Sequence, residues 1–311
     1  MFIKERIPPI ELEVLPQLMH RLPFHHKSWP DVERAHYMIK AGHGGEIEVD
    51  RLLKQMRWKE CLFISDLQLS EAYCQMDTIV LTPYFAVILE VKNYSGTLIF
   101  DEESMHMRQI TKQGQEIGYR SPVTQIWNAR EELLVLFKEM GVSLPVYAAI
   151  VLPYPTTLVE NIPKTFPVIY GHSLNRFIFT LPRNGQPLPN EELLRIGELL
   201  IKQHSPFSEK NYPQTFKYHP SELKKGILCR QCGAIGSRHS ARTYHCSICQ
   251  LRIIDGFRHA LDDWFALVSP TITNRQCQDF LMLHNKNAAR HVLLRAELKR
   301  VRKKGQFYYY K

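Results

Sequence analysis

The spacing of apolar residues changes several times along the first 204 positions, and each change marks an element. Leu12–Leu22 and Asp31–Lys40 place apolar residues three and four apart, which predicts two short helices split by turns rich in proline and histidine. Ala41-Gly42-His43-Gly44-Gly45 interrupts that spacing and reads as a breaker. Glu46–Trp58 is helical again, with Glu46, Val49, Leu53 and Met56 along one stripe. Strand-like runs follow at Cys61–Ile64, Tyr73–Leu81, Phe85–Lys92 and Gly96–Phe100. A long apolar-periodic helix spans Val123–Met140. Val146–Leu152 reads as a buried strand, Pro167–Tyr170 as a weaker one, and Glu191–Gln203 as a helix. Such a succession predicts an α/β or α+β domain that ends near residue 204.

Beyond that point the pattern dissolves. Ser205–Gly226 holds three prolines and no period, so it reads as a linker. Residues 227–254 carry paired cysteines, and 255–311 return to helical periodicity before a short aromatic strand, Phe307–Tyr310. The expected organisation is an N-terminal helical extension (1–40), a main domain (41–204), a linker (205–226), a cysteine module (227–254) and a basic helical module (255–311).

Composition changes the picture only once charge is located. The 311 residues are 44% hydrophobic and 23% charged, ordinary for a globular protein, and the net charge is +9. Glu222–Lys311 holds 17 Lys+Arg against 6 Asp+Glu, so all of the positive excess lies there. That asymmetry suits a polyanion-binding module, although a solvated basic surface would share it. Met1–Pro9 has no apolar run of the secretory kind, and Val146–Leu152 is too short to cross a bilayer. Seven cysteines, four of them in two C-x-x-C pairs, suit metal binding in a reducing compartment, and a cytoplasmic location is expected.

The densest chemistry lies in the hairpin Gln75-Met76-Asp77 to Glu90-Val91-Lys92. A turn centred between Pro83 and Tyr84 sets Asp77 opposite Glu90, with Cβ atoms about 5 Å apart. Lys92 follows on the same face. Two carboxylates this close repel unless a cation lies between them, and Mg²⁺ or Mn²⁺ prefers such oxygen ligands. Acid, acid and lysine make a reasonable phosphodiester-hydrolysis site. A surface ion-pair ladder would use the same residues. Glu46 is equally an ordinary first-turn glutamate, and Gln125 a polar cap residue.

Gly42-x-x-Gly45-Glu46, Gln75-Met76-Asp77, Glu90-Val91-Lys92-Asn93-Tyr94-x-Gly96 and Pro122-x-x-Gln125 together resemble the nuclease-related domain (NERD) family of the PD-(D/E)XK nuclease superfamily. The resemblance covers roughly residues 40–155. It implies a mixed central sheet flanked by helices for the domain at 41–204. It further implies that Asp77 and Glu90 are metal ligands, Lys92 the catalytic lysine, and Glu46 and Gln125 supporting positions. Ser121-Pro122 stands where that family would have Asn-Pro.

Cys229-x-x-Cys232 and Cys246-x-x-Cys249, with 13 residues between the pairs, fit a structural Zn²⁺ ribbon. Redox-active or disulfide-bonded cysteines are the other reading. Arg230, Arg238, Arg242 and Arg252 surround the module as they would in a ribbon touching phosphate. Cys61, Cys74 and Cys277 lie in apolar surroundings and read as core thiols. In the last segment, Thr273–Leu283 reads as a helix with Thr273 as N-cap and Gln276 completing a capping box. A break at His284-Asn285 leads to a helix from Lys286 to about Leu298, and a basic run then meets Phe307–Tyr310. Helix, turn, helix and basic hairpin resemble a winged helix-turn-helix, which nominates Lys286, Arg290, Arg300, Arg302, Lys303 and Lys304 as nucleic-acid contacts. A helical hairpin packed on the zinc module is the other reading.

The function expected is a metal-dependent nuclease acting on DNA, with RNA also compatible with the charge pattern. The alternative is a non-catalytic DNA-binding regulator or repair-accessory protein with a nuclease-like fold. No membrane association is expected.

Overall fold

The computed structural model describes residues 1–207, 210–240, 243–303 and 305–311. By internal contacts the chain divides into two units, Met1–Pro8 with Lys40–Ser208, and Pro9–Ile39 with Glu209–Lys311. The stretch expected as an N-terminal extension is thus shared out between them. The chain opens with strand β1 (Phe2–Lys4), helix α1 (Glu11–Arg21) and the long helix α2 (Trp29–Lys54). Residues of α2 up to Ile39 count with unit 2 and the remainder with unit 1.

Helix α2 corrects the sequence reading, because it runs unbroken through Gly42, Gly44 and Gly45. At Gly45 a β-carbon would stand 2.8 Å from Asn93 Cβ and 3.1 Å from a Pro153 ring carbon. This glycine permits close approach of helix and strand ends; it does not stop the helix. Asn93 completes the junction by donating from Nδ2 to the Ala41 carbonyl (2.8 Å).

Unit 1 is built on a six-stranded mixed sheet. After β1 come β2 (Leu62–Leu69), β3 (Cys74–Leu81) and β4 (Ala86–Val91), successive antiparallel neighbours. Strands β5 (Gly96–Asp101), β6 (His106–Ile110) and β7 (Glu116–Arg120) form a separate meander, and helix α3 (Pro122–Glu139) returns the chain to the first sheet. Strand β8 (Val146–Leu152) then pairs parallel with β4. Strand β9 (Thr157–Glu160) joins β5, and β10 (Val168–Tyr170) extends the main sheet beside β8. The main order is β1-β2-β3-β4-β8-β10. Helices α4 (Leu174–Thr180) and α5 (Asn190–Lys202) complete the unit.

Strand alternation explains why this sheet is covered on both faces. Ile64, Ile79, Ile88 and Ile150 pack with Val123, Ile126, Leu133 and Leu200 on one side. Phe63, Val80, Val87, Leu89 and Val151 pack with Val49, Leu53 and Ile178 on the other. A sheet buried on both faces reads as near-continuous apolar sequence, which is what the hairpin and β8 show. Polar residues in its central strands therefore stand out.

In unit 2, the stretch expected as a linker is packed. It contains the short helix α6 (Tyr212–Thr215), and Tyr212, Tyr218 and Leu223 are buried against α1 residues Leu15 and Leu18. Tyr218 Oη donates to the Leu267 carbonyl (2.8 Å). Strands β11 (Gly236–Arg238), β12 (Thr243–Cys246) and β13 (Arg252–Ile254) form a small antiparallel sheet around the cysteines. Helix α7 (Gly256–Leu267), strand β14 (Ile272–Thr273), helices α8 (Asn274–Phe280) and α9 (Lys286–Arg295), and strands β15 (Lys299–Lys303) and β16 (Gln306–Tyr310) follow. The last three strands pair in the order β14-β16-β15. Cys229, Cys246 and Ile253 share one buried cluster with Phe257, Trp264, Cys277, Phe280, Leu293 and Tyr309. Zinc-type module and tail therefore have a common core, where the sequence suggested two separate pieces.

Arg21 is the hub of unit 2. It is fully buried, pairs with Asp263 (2.7 Å), donates to the Lys224 carbonyl (2.7 Å), and lies over the Phe280 ring at 4.5 Å. Asp263 also takes Arg230 (3.2 Å), whose side chain remains one-third exposed. Among the described residues no helix is long and apolar enough to cross a membrane.

Candidate functional site

Strands β3 and β4 pair Thr78 with Leu89 and Ile79 with Ile88, the register of a turn centred between Pro83 and Tyr84. The next residues, Asp77 and Glu90, drop out of the β3–β4 ladder, while Glu90 stays paired with Ile150 of β8. Asp77 turns its carboxylate to the backbone, and Oδ2 accepts from the Val91 N–H at 2.8 Å. Its carbonyl takes Arg6 Nη2 at 2.7 Å. Across on β2, Asp66 adopts a left-handed backbone (φ 52°) where the pairing skips from Ser65 to Leu67. The sheet is thus locally opened where the acids stand.

Glu90 is wholly buried and Asp77 is 6% exposed. Lys92 Nζ stands 2.6 Å from Glu90 Oε1 and donates to Gln125 Oε1 at 3.1 Å. The lysine is therefore ion-paired with Glu90 Oε1, while Oε2 has no hydrogen-bond partner. A buried carboxylate with one oxygen left without a partner, next to a second buried acid, is costly, and a further cation is the usual remedy. Hard divalent ions with oxygen preference, Mg²⁺ and Mn²⁺, fit a donor set of this kind.

The ionisation of the group reflects the same crowding. Burial, reinforced by the charge of Asp77, pushes Glu90 up to about 8. Burial also raises Asp77, against the pull of Lys92 and the Val91 N–H. Glu46 rises to about 7 through burial and then Asp77, with Arg6 opposing. Burial alone would lower Lys92, but Glu90 and Asp77 outweigh it and hold the ammonium form.

Helix α2 brings Glu46 to the same region. Its Oε2 accepts from Arg6 Nη1 (3.0 Å) and lies 3.7 Å from His43 Nδ1. Of the residues nominated from sequence, Glu46 and Asp77 are linked through Arg6, and Glu90 and Gln125 through Lys92. Sequence reasoning missed Arg6 and Asp50. Asp50 lies four residues after Glu46, hence on the same helix face, and that spacing was an available signal. Arg6 stands outside every motif and had none.

The local sequence explains the string from Glu90 to Gly96. Val91 offers its N–H to Asp77, Asn93 ties the strand end to α2, and Tyr94 packs on Tyr119 at 5.3 Å. Gly96 has φ 83°, and a β-carbon there would fall 2.1 Å from the Ile110 carbonyl oxygen, so only glycine fits. Ser121, in place of the expected asparagine, still caps α3 by accepting from the Val123 N–H (3.3 Å).

Residues 41–153, less than half of the chain, match the sequence model of the nuclease-related domain family, NERD. The chain carries a nuclease-related domain. The match takes in Glu46, Asp77, Glu90, Lys92 and Gln125 and ends before Arg6 on the N-terminal side. Comparison with curated proteins and with solved structures found no match.

In unit 2 the four cysteines converge. Their sulfurs all lie within 4.8 Å of one another, with Cys232 to Cys246 at 3.3 Å, Cys229 to Cys249 at 3.6 Å and Cys232 to Cys249 at 3.7 Å. A tetrahedral ion with Zn–S bonds of about 2.3 Å separates its sulfurs by about 3.8 Å, so the set is close to what zinc requires. The Cys249 N–H points at Cys246 Sγ (3.4 Å), and this bond draws the Cys246 thiol down to about 6 despite some burial. Cys61, Cys74 and Cys277 are buried thiols that desolvation pushes up to about 12, 11 and 12.

Of the basic residues nominated at the C-terminus, Lys286, Arg290, Arg300, Arg302 and Lys303 are exposed. Lys286 and Arg290 lie on α9, whose Ala289 and Leu293 face the core. Thr273 and Gln276 form the expected capping box at α8. Arg300 and Arg302 on β15 both lie over the Phe307 ring, at 5.2 and 5.7 Å, and Lys303 is exposed beside them. Lys304 and Arg242 lie outside the described residues.

Proposed function

We propose that this protein is a metal-dependent nuclease that hydrolyses phosphodiester bonds of DNA. The observation that carries the reading is Glu90: a wholly buried carboxylate, ion-paired with Lys92 through one oxygen and without a hydrogen-bond partner on the other, beside Asp77 in a nuclease-related domain. Asp77 and Glu90 are the residues that would hold Mg²⁺ or Mn²⁺, and the bound ion would supply Lewis-acid stabilisation of a phosphate oxygen and a more acidic water. Lys92, held as an ammonium between Glu90 and Gln125, places a fixed positive charge where negative charge develops on the phosphate. Gln125 fixes the direction of that ammonium, and Glu46 limits where a water can stand at the edge of the group.

Unit 2 supplies the grip on nucleic acid. Four thiolates with no open position give a structural Zn²⁺ that secures the core shared with α7, α8 and α9. Two helices joined by a short turn, followed by a basic hairpin, suit a duplex, with α9 at base edges and Arg300, Arg302 and Lys303 along phosphate.

The test is incubation of plasmid and linear DNA with wild type, Asp77→Ala and Glu90→Ala in Mg²⁺, Mn²⁺ or chelator. Cleavage by wild type with a divalent ion, and none by either variant, is expected, with DNA affinity retained in both. Binding without cleavage by wild type under every condition would replace this reading with that of a DNA-binding regulator. Cleavage of RNA alone would replace the substrate.

A further inference from the structure

Arg6 is the most heavily engaged side chain near the candidate site, and no motif contains it. Its side chain is 5% exposed. It forks onto Asp50, with Nε to Oδ2 at 2.9 Å and Nη2 to Oδ1 at 3.3 Å. Nη1 donates to Glu46 Oε2 (3.0 Å), and Nη2 also reaches the Asp77 carbonyl (2.7 Å) and Thr78 Oγ1 (3.0 Å). Ser65 Oγ also donates to Asp50 Oδ1 (3.3 Å). One guanidinium from the first eight residues therefore ties α2 to β3 at the point where β3 leaves its ladder.

Charge arithmetic gives the arrangement meaning. Glu46, Asp50, Asp77 and Glu90 are the four acids that Arg6 and Lys92 touch directly, and Asp66 adds a fifth negative group acting on Glu46 and Asp77. The acids outnumber the cations, so the group keeps a net negative charge that a divalent ion can neutralise. Without Arg6, the i, i+4 acids Glu46 and Asp50 would stand together with Asp77 and invite a second ion.

We propose that Arg6 is a positioning residue that acts as a built-in counter-cation for Glu46 and Asp50, and so restricts the pocket to a single divalent ion at Asp77 and Glu90. This rests on the nuclease reading above. It also makes the N-terminal segment part of the site, although the family match begins only at residue 41.

The experiment is Mn²⁺ titration calorimetry on the full-length, zinc-loaded protein, with Glu90→Gln as the site-null reference. Wild type should take up about one more Mn²⁺ than Glu90→Gln, Arg6→Gln about two more, and the double variant Arg6→Gln with Asp50→Asn about one more. The Mn²⁺ dependence of cleavage should steepen in Arg6→Gln and relax in the double variant. Equal stoichiometry and affinity in wild type and Arg6→Gln, with uptake still lost in Glu90→Gln, would overturn the role of Arg6 and leave the nuclease reading standing. No uptake by wild type beyond Glu90→Gln would overturn both. Should Arg6→Gln not fold, Asp50→Asn alone decides. Removing one acid while Arg6 remains should weaken Mn²⁺ binding about threefold or more, and an unchanged affinity would count against the proposal.

Discussion

Glu90→Gln isolates the burden that one buried carboxylate places on the protein when no divalent ion is bound. Glu90 is fully buried, and burial with the nearby Asp77 charge raises it to about 8. In the unfolded chain it titrates near its ordinary value of about 4.3. The folded state thus holds the proton more tightly. Below the unfolded value both states are protonated and nothing is lost. As pH climbs from there through 8, the unfolded state releases its proton first, and folding stability declines. At about 1.4 kcal/mol per pH unit, the window between the two values amounts to roughly 3–5 kcal/mol at pH 9. Glutamine has nearly the same shape and no proton to lose, so it escapes the decline. Lys92 keeps Asp77 as a charge partner in the variant.

The assay is urea unfolding in buffer free of Mg²⁺ and Mn²⁺, followed by tryptophan fluorescence, since Trp58 and Trp127 both report on unit 1. At pH 5 the two proteins should differ little. At pH 9 Glu90→Gln should be the more stable by roughly 3–5 kcal/mol, and saturating Mn²⁺ should close the gap by stabilising wild type only. A stability difference of the same size at both pH values would refute the reasoning, because packing changes do not titrate.

Three further outcomes follow from the same structure. Gly44→Ala should stabilise unit 1 by up to about 1 kcal/mol, since a β-carbon there meets nothing within 4 Å, whereas Gly45→Ala should destabilise by about 1–3 kcal/mol through overlap with Asn93; thermal melts of the pair check the opposite signs. Elemental analysis should find about one Zn²⁺ per chain, and removing it with a thiol-reactive mercurial plus chelator should collapse the near-ultraviolet dichroism contributed by Trp264 in the shared core. Arg300→Ala with Arg302→Ala should weaken DNA binding and lower the slope of log affinity against log salt by up to about 2, without altering cleavage chemistry at saturating protein, as gel shifts at several ionic strengths would show.

Legibility in the sequence followed the range of the forces involved. Strand β8 and the helices α3 and α5 were readable to within a residue or so, because each is fixed by its own apolar period. The β3–β4 register was readable because a tight turn determines it. The cysteine cluster was readable because four thiolates on one ion demand that spacing. Domain limits were not, since they depend on which segments meet in space. Tyr212, Tyr218 and Leu223 look like punctuation between prolines until α1 is seen covering them.

The glycines of α2 and the arginine of the N-terminal segment share one cause of illegibility, which also bears on function. A glycine read locally is a helix breaker, and its packing value exists only because Asn93 and Pro153 arrive from strand ends far along the chain. An arginine at position 6 read locally is one more surface charge. It becomes a counter-cation only because α2 delivers Glu46 and Asp50 to it, and β3 opens at Asp77 to offer a carbonyl. The two features depend on each other. Were α2 to break at Gly42–Gly45, Glu46 would begin a separate helix with a free first turn, and its carboxylate would be satisfied by its own N-terminal amides. With the helix continuous those amides are used, and Glu46 must look outward to Arg6 and the acidic group. Helix continuity is therefore what commits Glu46 to the site.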